Sequence, residues 1–228
     1  MATSGITGVL VVDRVGPLPH DVPDSRGRYD TIGRTVYVAD RPATAMAEVL
    51  QPFRAQSLAT AKDADAIGTD LDSYRQQLAE DLHQRGLPAP GDIPASWQLV
   101  RSLYRVRLPR SGWWVKIDSA PTLNALADAM HGLAGQLTLG DVCGDDRALT
   151  TQLAQLIRDS TLDDGTMPLG ISFPSKTAYG RCFAWWNRAA DANTNPTDND
   201  IKLIETRSLD GAELRQVCTD WNLTITTE

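Results

Sequence analysis

Residues 35–40 (TVYVAD) alternate β-branched residues with a tyrosine, and two residues later the period changes. From Pro42 onward, Ala45, Met46, Val49, Leu50 and Phe53 recur at helical spacing. A strand that feeds a helix across so short a joint must lay that helix back against the sheet, which confines the chain to a layered α and β architecture. Val36 and Val38 share one strand face and Tyr37 takes the other. Asp40 is the candidate helix cap, and Pro42 suits the first turn. Glu48 falls opposite the apolar stripe, with Arg41 and Thr44; spacing alone makes that a solvent face.

The other elements follow from similar signals. Residues 8–15 (GVLVVDRV) read as a strand with Arg14 near its end, followed by a proline-rich loop and the Arg26-Gly27-Arg28 triplet. Residues 55–95 are polar and read as a helical insertion, with one helix carrying Leu71, Tyr74, Leu78 and Leu82 and ending at Gly86. Residues 98–108 read as a strand with Leu99, Leu103 and Val106 inward, and 113–118 as another. A helix is expected over 122–133 and a clearer one over 145–160, with Leu149, Leu153, Leu156 and Ile157 as its stripe. Residues 170–175 (GISFPS) form a short strand. Residues 182–187 (CFAWWN) are apolar on both faces, as an inner strand requires. A strand at 201–209, a helix at 210–222 with Glu213 in capping-box position, and a last strand at 224–226 complete the chain. The expectation is α+β: one domain over residues 1–228, with a central mixed β-sheet flanked by helices, about seven strands and four or five helices.

Composition narrows the function. The net charge of −7 argues against a nucleic-acid footprint spread over the surface, because phosphate-backbone binding wants clustered cations. The three cysteines, Cys143, Cys182 and Cys218, form no CxxC pair and read as structural thiols of a reducing compartment. His20, His83 and His131 lie far apart, so no metal site is expected. The first residues lack a basic leader, and their apolar run is too short to span a membrane; the expected location is cytoplasmic.

The chemistry-bearing residues are of a consistent kind. A guanidinium binds phosphate through two parallel hydrogen bonds and stays charged. A phenol ring stacks on planar groups. A carboxylate holds ribose hydroxyls and stabilises developing positive charge on a sugar. Arg14, Arg28, Tyr37, Glu48 and Ser175, brought together, would suit a nucleotide whose N-glycosidic bond breaks through an oxocarbenium-like state.

The run GRYDTIGRTVYVADRPATAMAEVL resembles the signature of the RES-domain family. The match runs through Gly27-Arg28-Tyr29, then Val36-Tyr37-Val38-Ala39, then Ala45-Met46-Ala47-Glu48. Arg14 in DRV matches the family's earlier arginine, and Ser175 its later serine, followed here by GRCFAWWN. The resemblance covers most of the chain outside residues 55–91. Tyr29 stands where the family often has tryptophan, and a single glycine precedes Arg28 where two are common.

This resemblance implies an ADP-ribosyltransferase-like fold and a toxin of a toxin–antitoxin pair that breaks the nicotinamide–ribose bond of NAD⁺, with water or phosphate as acceptor. It implies a helix-turn-helix antitoxin as partner, with no direct nucleic-acid contact by this chain. Arg14 and Arg28 would grip the pyrophosphate or ribose, and Tyr37 would position the nicotinamide–ribose end. Glu48 would hold the ribose hydroxyls and stabilise the oxocarbenium, and Ser175 would contact the nicotinamide. It also turns the Glu48 face of the helix toward a cleft. Two other readings stand beside this one: transfer of ADP-ribose to a macromolecule, and a non-catalytic interaction domain.

Overall fold

The computed structural model describes residues 27–130, 137–197 and 200–226. The strand expected at 8–15, with Arg14, lies outside the described residues, as do Arg26 and His131. The described residues form a mixed α and β structure with eight strands and eight helices, more of each than the periodicity indicated. The excess comes from short pieces of two to five residues.

The first strand, β1 (Thr35–Ala39), leads into helix α1 (Pro42–Ala66). After α2 (Leu71–Gln84) come a short strand β2 (Asp92–Ile93), helix α3 (Ala95–Leu99), β3 (Ser102–Arg107) and β4 (Trp114–Lys116). Then follow α4 (Ala120–Ala129), α5 (Leu139–Cys143), α6 (Arg147–Asp159), β5 (Gly170–Pro174) and β6 (Arg181–Trp186). The chain closes with α7 (Arg188–Asp191), β7 (Lys202–Ser208), α8 (Ala212–Trp221) and β8 (Thr224–Ile225).

The main sheet has the order β1-β6-β5-β4. β1 and β5 both pair antiparallel with β6, and β4 joins β5 in parallel. The apolar β6 is therefore the inner strand its sequence demanded. Thr35 pairs with Trp186, Tyr37 with Ala184 and Ala39 with Cys182, while Phe173 pairs with Cys182 from the other side. Paired residues share a face and the pleat alternates, so Thr35, Tyr37, Ala39, Cys182 and Phe173 all point the same way. Smaller sheets pair β3 with β7 and β2 with β8.

Two hydrophobic clusters hold these layers. One packs the main sheet against α6 through Leu153, Ala154 and Ile157. The other packs α1 against α8 and β2, with Met46, Leu50, Ile93, Leu214 and Val217 at its centre.

Several local readings need correction. Helix α1 does not end near Phe53 but runs through Pro52 to Ala66, so the first part of the presumed insertion is the same helix. Its buried residues there are the small Ser57, Thr60 and Ala64. These let α2 approach closely, with Arg75 donating to Ser57 Oγ at 3.1 Å. The cap of α1 is Arg41, while Asp40 instead accepts from the Thr44 hydroxyl at 2.8 Å. Leu99 ends α3 and is 85 % exposed, not buried in a strand. Helix α8 is capped by Gly211 with no side-chain hydrogen bond, so no box forms around Glu213. Asp210 is taken instead by the Ser208 hydroxyl.

Candidate functional site

The cavity of about 280 Å³ at the end of β1 is lined by Gly27, Arg28, Tyr37, Ala45, Glu48, Arg147, Phe173 and Cys182, among others. This lies just below the usual range for ligand pockets, about 300–1,000 Å³. Its floor is the sheet face set by the pleat: Thr35, Tyr37, Ala39, Phe173 and Cys182. One wall is the Ala45–Glu48 face of α1. Another is the turn at residues 27–30.

Glu48 is half-buried and turned to this cavity, which overturns the solvent face that spacing alone assigned. Thr44, one turn earlier, is fully buried. The Glu48 carboxylate is held at both oxygens. Ser175 Oγ donates to Oε1 at 2.5 Å, and Gln51 Nε2 donates to Oε2 at 3.0 Å. A hydrogen bond to a charged acceptor contributes about 1.5–3 kcal/mol. With its proton given to Glu48, Ser175 Oγ accepts from Thr177 Oγ1 at 2.5 Å and from Thr177 N at 3.1 Å. Buried and committed to these partners, Ser175 stands behind the carboxylate.

The hairpin that carries Ser175 is clamped to the start of α1. Arg41 Nη2 donates to the Tyr179 carbonyl at 2.9 Å, and Thr44 Oγ1, whose proton goes to Asp40, lies 3.2 Å from the same oxygen. A Cβ on Gly180 would meet Asp40 Oδ1 at 2.4 Å, so this close approach needs glycine. Ala178 closes the turn at φ 63°, a left-handed conformation that costs an alanine about 1–2 kcal/mol.

The turn at 27–30 is fixed by the strand tyrosine. Tyr37 Oη donates to Asp30 Oδ1 at 2.9 Å and accepts from Tyr29 N at 2.9 Å. Asp30 Oδ2 accepts from Gly27 N at 2.6 Å. A Cβ at position 27 would sit 2.5 Å from Tyr37 Oη, which explains the glycine before Arg28. Burial, and then the nearby Asp30 charge, push the Tyr37 phenol well above its usual range. Tyr37 therefore lends its ring to the cavity while its hydroxyl serves the turn.

Arg28 is 8 % exposed and has no carboxylate partner among the described residues. Its Nη1 donates to the Cys143 carbonyl at 3.2 Å, and the guanidinium lies 5.3 Å from the centre of the Phe173 ring. The ring contact holds the guanidinium at the cavity without an ion-pair partner in direct contact. Cys182 belongs to the floor. Burial first, then the Glu48 charge, push its thiol far up, so it is a neutral hydrogen-capped sulfur and no nucleophile.

Arg147 was not singled out by sequence reasoning. It opens α6, where the helix dipole disfavours a cation. That mismatch was the available signal, masked by the acids just before it. Arg147 Nη2 lies 3.4 Å from Asp145 Oδ1, and Nη1 is buried without a partner. Thr35, another residue of the lining, likewise has its Oγ1 buried and unpartnered. Leaving a buried donor unmade costs about 1–3 kcal/mol. Lys176 ion-pairs with Asp145, and Asn187 caps α7 by accepting from Ala190 N at 3.0 Å; neither lines the cavity.

The structure thus brings Arg28, Tyr37 and Glu48 to one cavity and places Ser175 against Glu48. No group of three or more His, Cys, Asp or Glu side chains among the described residues is arranged to hold a metal, and no described helix is long and apolar enough to cross a membrane. None of the protein-family models, curated proteins or solved structures compared with the chain matches it.

Proposed function

We propose that the chain is an NAD⁺-consuming enzyme of the RES type, with an ADP-ribosyltransferase-like arrangement of its sheet, that breaks the nicotinamide–ribose bond. The observation that carries this reading is the Glu48 carboxylate, held at both oxygens inside a cavity whose other wall is the unpaired guanidinium of Arg28. A carboxylate fixed in this way is preorganised for positive charge that develops late, and a free guanidinium is suited to an anionic ligand.

In this scheme Arg28 binds the pyrophosphate or ribose end, with Arg14 as a second contact. Tyr37 and Phe173 supply the apolar wall. The C1′–N bond breaks with its electron pair leaving on nicotinamide, which departs neutral. The positive charge left on the ribose is stabilised by Glu48. Water or phosphate then forms the new bond to C1′ through oxygen; water gives up a proton in doing so. Ser175 acts through Glu48 and not on the nicotinamide. A small helix-turn-helix protein that covers the cavity is the proposed partner, and it would act as the antitoxin.

The test is release of nicotinamide from NAD⁺ by the purified chain, with and without inorganic phosphate, compared with Glu48→Ala. Release by the native chain and none by the variant is the expected result. Absence of nicotinamide under both conditions sinks the proposal. Labelled NAD⁺ in a lysate covers the transferase alternative, since only that activity labels a macromolecule.

A further inference from the structure

We propose that Arg147 and Thr35 form, beside Arg28, a phosphate-binding subsite of the cavity. The ligand class rests on the nucleotide reading above; the subsite itself rests on two orphaned polar groups. Thr35, a residue of the cavity lining, is 4 % exposed, and its Oγ1 is buried without a hydrogen-bond partner. Arg147 lines the same cavity, and its Nη1 is buried with no acceptor. Buried polar groups are normally paired, so two unmade ones at a single cavity mark the place where a ligand supplies the acceptor.

The charge of Arg147 is not otherwise spent. Its one carboxylate contact is Asp145 Oδ1 at 3.4 Å, on a side chain 80 % exposed, and Lys176 ion-pairs with the same oxygen. The Lys176 contact, first of all, holds Asp145 below the usual carboxylate range. The Arg147 side chain is 25 % exposed and belongs to the cavity lining. Arg28 presents a second guanidinium there, anchored to the Cys143 carbonyl through Nη1. A carboxylate has two oxygens and cannot serve two forks and a hydroxyl together. A phosphate group has enough acceptors for all three.

Phosphate chemistry could arrive as the diphosphate of a nucleotide or as the free ion. Calorimetry of the native chain, Arg147→Ala, Arg147→Lys and Thr35→Val with ADP, inorganic phosphate and adenosine separates the cases. The expected result is that Arg147→Ala weakens ADP or phosphate at least tenfold and leaves adenosine unchanged. Arg147→Lys, which keeps the cation without the fork, is expected to fall between. Competition of phosphate with ADP assigns the subsite to the nucleotide's own diphosphate. Simultaneous binding, with only phosphate sensitive to Arg147, assigns it to the free ion. If Arg147→Ala binds both as the native chain does, or if the native chain binds neither, the proposal is overturned. Phenylglyoxal labelling of native protein gives a check that needs no variant: ADP or phosphate must protect Arg147. Nicotinamide release is not read in these experiments. A chain that binds ADP through Arg147 yet leaves NAD⁺ intact keeps this inference and loses the NAD⁺-cleaving one.

Discussion

Ser175 and Glu48, 127 positions apart in sequence, are joined by a 2.5 Å hydrogen bond, with Ser175 as the donor. The serine stands behind the carboxylate, on the hairpin between β5 and β6, while the glutamate faces the cavity from α1. The order of these two groups determines what each substitution does.

Ser175→Ala removes one of two donors to Glu48 and leaves the cavity lining intact. Loss of a charge-assisted hydrogen bond of about 1.5–3 kcal/mol corresponds to roughly ten- to a hundredfold in rate where the carboxylate acts in the transition state. Steady-state kinetics on NAD⁺ should show kcat reduced by that amount and KM nearly unchanged. A variant that instead raises KM alone would place Ser175 on the substrate.

Tyr37→Phe keeps the ring and removes the hydroxyl that joins Asp30 to the Tyr29 amide. Both groups lose a partner in a buried turn. Denaturant unfolding should show a loss of about 1–3 kcal/mol. The turn carries Arg28, so affinity for ADP should fall as well. Unchanged stability would mean that the turn is held by its other contacts alone.

Ala178→Gly relieves the left-handed conformation at φ 63°. Relief of about 1–2 kcal/mol is partly offset by the greater freedom of glycine in the unfolded chain. The thermal midpoint should rise by a few degrees, on the scale of about 2–4 °C per kcal/mol for a chain of this size. A fall in the midpoint counts against strain at this position.

Alkaline conditions should destabilise the fold. Burial raises the Cys182 thiol far above the usual thiol range, and raises Cys218 to about 11. A group whose pKa is raised by folding contributes stability that is complete below its unfolded value and fades as pH climbs toward the folded one. Urea midpoints should therefore be flat up to about pH 8 and decline from about pH 9 upward. Cys182→Ala should make that decline shallower. An identical decline in the variant would remove Cys182 from the account.

Much of the frame was legible in the sequence. The alternation of TVYVA, the apolar run of CFAWW and the leucine–isoleucine stripe of α6 each carried their period plainly. The α2 stripe was legible in part: Leu71, Tyr74, Leu78 and Leu82 lie on its half-buried side, though none is fully buried. What escaped was tertiary. Pro52 and the polar run after it look like a stop, yet α1 continues because small residues there fit under α2. Leu99 is apolar and exposed, which no periodicity distinguishes from a buried position.

The site shows the same division. The types and order of Arg28, Tyr37 and Glu48 were readable, and their meeting at one cavity is given by the joint between β1 and α1. The serine's role was not readable, since a hydroxyl aimed at a ligand and one aimed at a carboxylate have the same sequence. Arg147 looked like an ordinary charge at the head of a helix. Its significance lies in an acceptor that is missing, and sequence does not display absences.

Proline 52 has a consequence of its own. With no amide hydrogen, it cannot serve the Glu48 carbonyl four residues back. The backbone rung that would brace the glutamate from below is therefore open in α1. The aim of this side chain depends instead on neighbours reached through space, and the main one lies on a hairpin made late in the chain. A polypeptide interrupted during synthesis before residue 175 would carry Glu48 but no serine to hold it, and would also lack β6, the strand that joins β1 to the rest of the sheet. The carboxylate would therefore be set in place only after β5 and β6 had emerged.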